Sequence, residues 1–155
     1  MNRLSLWSAL SIAVVATCSI VPLQAHNENS SNYGISPEGI ERVEILYLPE
    51  RILTRAALTP ERLEQSYHYR LEIRQFPGSL QREQLLPALR EGSYSPSSGS
   101  YDLRTAILFF DKSGKRILSL YFDRSGRKGV VNRKTVSTND AVYRWARSMM
   151  RGFAD

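Results

Sequence analysis

Cysteine is nearly missing from this chain: the only one, Cys18, lies inside the N-terminal apolar run. If that run is removed, no disulfide, thiol nucleophile or Cys-based zinc site is left. Histidine is almost as scarce, with His26 and His68 alone. Also absent are His-Glu-x-x-His, Gly-x-Ser-x-Gly and a phosphate-cradling glycine loop. A hydrolase of unknown substrate is therefore only a third reading. Its Ser-His-Asp triad would have to take His68 as base, and nothing singles out one of the many serines. No cofactor is implied.

Beyond the N-terminus there is no long apolar run. Met1-Asn2-Arg3 precedes an apolar stretch from Leu4 to Val21, then Pro22-Leu23-Gln24-Ala25 and the polar segment His26 to Asn32. A positive start, an apolar run and a small residue after a helix breaker predict a secretory signal peptide over residues 1–25, cut after Ala25. A retained anchor, or a lipoprotein cut before Cys18, is the competing outcome. Localisation is then periplasmic or secreted, with no membrane contact after cleavage. Residues 26–39 are expected to be a flexible leader. Residues 40–155 form a single domain, since about 130 residues suffice for one core without staples.

Acidic charge is scarce in the C-terminal half. Residues 104–155 hold 12 Arg/Lys against 4 Asp/Glu, whereas residues 26–103 hold 8 against 11. A basic half of this kind suits a protein partner with an acidic surface.

What is present is strand and turn chemistry. Phe110-Asp111-Lys112-Ser113-Gly114 returns twelve residues later as Phe122-Asp123-Arg124-Ser125-Gly126. An Asp and a Ser able to bond their own backbone, followed by a Gly that tolerates positive φ, predict a tight turn in each copy. Together they make a three-strand β-meander between Arg104 and Val131. Its middle strand directs Leu118, Leu120 and Phe122 to one face, which something else must cover. The repeat is not a calcium loop, because its ligand spacing fails and basic residues intervene. Nor is it a nucleic-acid surface: the two basic turns lie about 20 Å apart at opposite ends of the strands.

Upstream, Val43–Leu48 reads as a strand ended by Pro49, and residues 51–58 as an edge strand or irregular crossing. Thr59-Pro60-Glu61 starts a short helix. Alternation over Tyr67, Tyr69, Leu71 and Ile73 predicts a strand with those four on one face. A two-turn helix over Leu80–Leu86 is expected to stop at Pro87, and Gly92–Ser100 to be a loop. A last helix from Asn139 to Phe153, capped by Ser137, buries Val142, Trp145, Met149 and Phe153. Its far side carries Arg144, Arg147 and Arg151, the candidate partner-binding stripe. The expected architecture is α+β, an antiparallel sheet of about five strands with helices packed on one face.

The leading functional expectation is a small exported, non-catalytic binding protein, of inhibitor or immunity type, engaging an acidic partner. The alternative is a periplasmic copper protein. A mature N-terminus at His26 would offer amine and imidazole, and His68 a second imidazole, donors that suit tetragonal Cu(II). Against it, the leader is polar, and His68 shares its strand face with Arg70 and Arg74.

Overall fold

The computed structural model describes residues 39–151. The expected signal peptide, nearly all of the expected leader, His26 and Phe153 lie outside the described residues. In chain order the elements are β1 (Arg42–Tyr47), α1 (Pro60–Ser66), β2 (Tyr69–Ile73), α2 (Leu80–Glu91), β3 (Tyr94–Pro96), β4 (Leu103–Phe110), β5 (Arg116–Asp123), β6 (Lys128–Val131), β7 (Lys134–Thr138) and α3 (Ala141–Met149). All seven strands join one antiparallel sheet in the order β2-β1-β4-β5-β6-β7-β3, so the fold is a single α+β domain.

The sheet exceeds the expected five strands by β7 and β3. β7 returns from β6 through a two-residue loop, Asn132-Arg133, with positive φ at both positions (44° and 71°). That is the geometry matching the twist of a tight hairpin. β3 lies within the stretch expected to be loop, and only three residues with no alternation mark it. Tyr94 anchors it, 3% exposed, and Pro96 sits on an edge where its missing N–H costs nothing.

Both expected meander turns form. In the first, the Asp111 carboxylate accepts from the Ser113 and Lys115 N–H groups at 2.8 and 3.0 Å. In the second, Asp123 accepts from the Ser125 and Lys128 N–H groups at 3.2 and 3.3 Å. Gly114 and Gly126 take φ of 80° and 70°.

Helices cover both faces of the sheet rather than one. α2 and α3 lie on the face of Leu118, Leu120 and Phe122, in a core with Ile45, Phe109, Val142 and Trp145. α3 thus supplies the cover that the middle strand requires. The other face carries Leu46, Leu108, Ala106 and Tyr121 beneath α1 and residues 48–58. β4, packed from both sides, is buried at all eight positions. The 51–58 segment is an irregular crossing, held by a buried arginine. Arg104 Nη1 donates to the Ile52 carbonyl at 2.8 Å, and its Nε donates to Asp102 at 2.8 Å.

Three local expectations are corrected. Tyr67 ends α1 and packs on the α1 face, while Tyr69, Leu71 and Ile73 flank the opposite core. α2 runs through Pro87 to Glu91. The bond lost at Pro87 would have gone to the carbonyl of exposed Glu83, and burial of Ala88 and Leu89 beyond it holds the last turns. α3 starts at Ala141, because Ser137 is paired inside β7 and Asp140 takes φ 62°. Asn139 makes that junction: its Oδ1 accepts from the Ser93 N–H at 3.3 Å, and its Nδ2 donates to the Glu91 carbonyl at 2.7 Å.

Candidate functional site

α1 has one fully buried residue, Leu63, so its neighbours Glu61 and Glu64 stay toward solvent and the sheet edge of the helix. Strand alternation aims Ser119 and Tyr121 of β5 at the same side. The β6–β7 loop closes the space, since Asn132 is fastened to β5. Its N–H donates to the Ser119 carbonyl at 3.1 Å, and its Oδ1 accepts from the Ser119 N–H at 3.2 Å. The result is a cleft of about 610 Å³ whose walls include Glu61, Glu64, Arg116, Ser119, Tyr121 and Arg133.

At its floor the charges are spent on each other. Arg116 donates to both oxygens of Glu64 at 2.8 Å, and the Tyr121 hydroxyl donates to the same carboxylate. Burial alone would raise the Glu64 carboxyl, but the bonds from Arg116 and Tyr121 outweigh it and hold it below the usual range. Burial, then Glu64, pushes the Tyr121 phenol up to about 12. Neither group changes charge near neutral pH, where a general acid or base has to. The triad is a brace between α1 and β5, 52 to 57 residues apart in sequence.

Arg144, Arg147 and Arg151 differ in their surroundings. Arg144 is exposed and pairs with Asp140 at 3.1 Å. Arg147 lies on the flank of α3 with its guanidinium 4.6 Å from the centre of the Tyr47 ring, and its Nη1 is buried without a hydrogen-bond partner. Arg151 is exposed, just past the helix. The rotation follows from the core: Ala146 and Met150 are fully buried, whereas Met149 is only half-buried.

The helix that carries Arg144 also meets the second meander turn. The Tyr143 hydroxyl donates to the Arg124 carbonyl at 2.8 Å, docking the first turn of α3 onto that loop. Arg124 and Arg127 of the loop are exposed and carry no ion pair among the described residues. Lys128, beside them, lies 5.5 Å over the Tyr101 ring. Lys112 and Lys134 are likewise exposed, at the other end of the sheet.

His68 is exposed in the link between α1 and β2, and its N–H donates to the Tyr47 carbonyl at 3.0 Å. Among the described residues, no three His, Cys, Asp or Glu side chains gather as a metal site. No helix of the described residues is long and apolar enough to cross a membrane.

Glu64, Arg116, Tyr121, Asn132 and Arg133 are not among the site residues expected from the sequence. One signal was available for the last two, Asn132 leading a two-residue break between Val130-Val131 and Lys134-Thr135, a tight-turn pattern. The Glu64–Arg116–Tyr121 brace leaves no local trace. No family model, curated protein or solved structure matches this chain.

Proposed function

We propose that this chain is a small exported, periplasmic, non-catalytic binding protein that engages a partner with an acidic surface, as an inhibitor or immunity-type protein does. The observation that carries the reading is the bond from Tyr143 to the Arg124 carbonyl. It docks the helix that carries Arg144 onto the turn that carries Arg124 and Arg127, two exposed arginines that carry no ion pair among the described residues. Charges of one sign held on rigid elements speed encounter with an acidic surface and set orientation. The brace of the cleft supports a binding role over a catalytic one, since its groups are locked in one protonation state. Export rests on the N-terminal sequence pattern.

The test is capture from periplasmic extract by wild-type protein and by Arg124→Glu/Arg127→Glu/Arg144→Glu. An acidic protein retained by the wild type, released by salt and lost by the variant at an unchanged melting temperature supports the proposal. The same captured proteins from both would overturn it.

A further inference from the structure

The two edges of the sheet are unlike. β3 is three residues long and ends in Pro96, and both features block addition of another strand. β2 at the opposite edge has five residues and no proline, and its sequence alternates Tyr69-Arg70-Leu71-Glu72-Ile73. Leu71 and Ile73 are half-buried on the α2/α3 side, where with Gln81 and Met149 they line a groove of about 400 Å³. Arg70 and Glu72 alternate with them, opposite in sign and two residues apart. Within the chain Arg70 pairs with Glu44 at 2.9 Å and Glu72 with Arg74 at 3.0 Å, so a pairing across copies would add to or replace these bridges.

The backbone says which groups are available. Leu48 N–H donates to Arg104, the residue directly opposite it in the β1–β4 register. In an antiparallel ladder such pairs alternate. Leu46 and Glu44 therefore turn their backbone groups toward β4, and Val43, Ile45 and Tyr47 toward β2. Their partners Ile73, Leu71 and Tyr69 point back at β1. Arg70 and Glu72 are left with N–H and C=O groups facing outward.

We infer that β2 pairs with β2 of a second copy, antiparallel about a two-fold axis at Leu71. In that register Arg70 faces Glu72 of the other copy, twice, in hydrogen-bonded pairs that use the outward backbone groups. Tyr69 faces Ile73 twice, and Leu71 meets itself. Sliding by one residue is forbidden, because it would set the outward-facing backbone groups of one copy opposite residues of the other whose groups face inward. Centring the axis on Glu72 instead sets Glu72 against itself and Arg70 against Arg74. Centring it on Ile73 keeps opposite charges but leaves most of β2 unpaired. Only the Leu71 register matches charge, apolar side chains and backbone over the whole strand. The half-buried Leu71, Ile73 and Met149 of both copies then cover one another. The dimer is independent of the basic surface proposed above, which lies on other elements.

Sedimentation equilibrium with the protein carrying Cys18→Ser is the first measurement, and a concentration-dependent dimer is expected. Glu72→Arg replaces two attractive pairs by two repulsive ones, so dimer dissociation is expected to rise about tenfold or more. Melting curves of dilute, monomeric samples are expected to differ only by the loss of the exposed Glu72–Arg74 pair, a small effect. A cysteine scan reads the register. Leu71→Cys sets two sulfurs across the axis with Cα atoms about 4.5–5.5 Å apart, within disulfide reach. It is expected to form a reducible dimer on mild oxidation, whereas Glu72→Cys and Ile73→Cys stay monomeric on reducing-agent-free gels. A monomer at every concentration overturns the proposal and leaves the edge to another occupant, such as residues before 39. A dimer indifferent to Glu72→Arg, or one cross-linked at 72 or 73 in place of 71, overturns it equally.

Discussion

Gly126 lies directly beneath the Tyr143 ring: a Cβ added at 126 would stand 2.1 Å from Tyr143 Cδ1. At the corresponding place in the first turn, Gly114 has open space around it. The repeated turns are thus alike in backbone and different in what packs on them.

Gly126→Ala is expected to cost about 2–4 kcal/mol, a left-handed backbone penalty plus overpacking against Tyr143. Gly114→Ala at φ 80° meets the backbone penalty alone, about 1–2 kcal/mol. Denaturant titration of the two variants checks this. Equal losses would show that Tyr143 yields freely and that α3 is not clamped to the turn.

Glu64 ties stability to pH. Its folded carboxyl sits below the ordinary 4.5, so the stabilisation it brings is complete above that value and fades as pH falls through the folded one. Wild-type melting temperature is expected to drop in acid more steeply than that of Glu64→Gln, with the two profiles converging at low pH. Parallel profiles would mean that the Arg116–Glu64–Tyr121 brace contributes nothing through ionisation.

Arg147 and Arg144, one helical turn apart, are expected to respond differently to reversal. Arg144→Glu loses an exposed pair and sets a like charge one turn from Asp140, together less than about 1 kcal/mol. Arg147→Glu loses the guanidinium over Tyr47 and sets a carboxylate against the ring face, a loss of about 1–2 kcal/mol or more. Thermal melts of the two single variants decide. A fully stable Arg147→Glu would return that residue to plain solvated surface.

The periplasmic form is expected to begin at His26, with a mass short by residues 1–25, and to take up Cu(II) only weakly. His68 stands at an exposed link, and among the described residues no three His, Cys, Asp or Glu side chains gather as a metal site. Intact mass and copper calorimetry test the pair. Stoichiometric uptake abolished by His68→Ala would move the copper reading ahead of the acidic-partner one.

The sequence by itself determined what depends on near neighbours. The two Asp-x-Ser-Gly turns, the alternation of β5, the Thr59 cap accepting from the Arg62 N–H at 3.4 Å, and Trp145 in the core are all local patterns that the structure repeats. Their physics acts within a few residues, through side-chain bonds to the chain's own backbone and the periods of strand and helix. Only the tertiary structure decided the rest. β3 is a strand because Tyr94 and Pro96 meet Thr138 and Val136, some forty residues on, with no alternation of its own. α2 passes through Pro87 because burial further along outweighs one missing bond. Arg147 leaves the solvent face because Tyr47 of β1 is there to receive it. Glu64, Arg116 and Tyr121 become one brace only when α1 docks on the sheet. Each of these turns on a contact between residues far apart in the chain, where packing free energy overrides local preference.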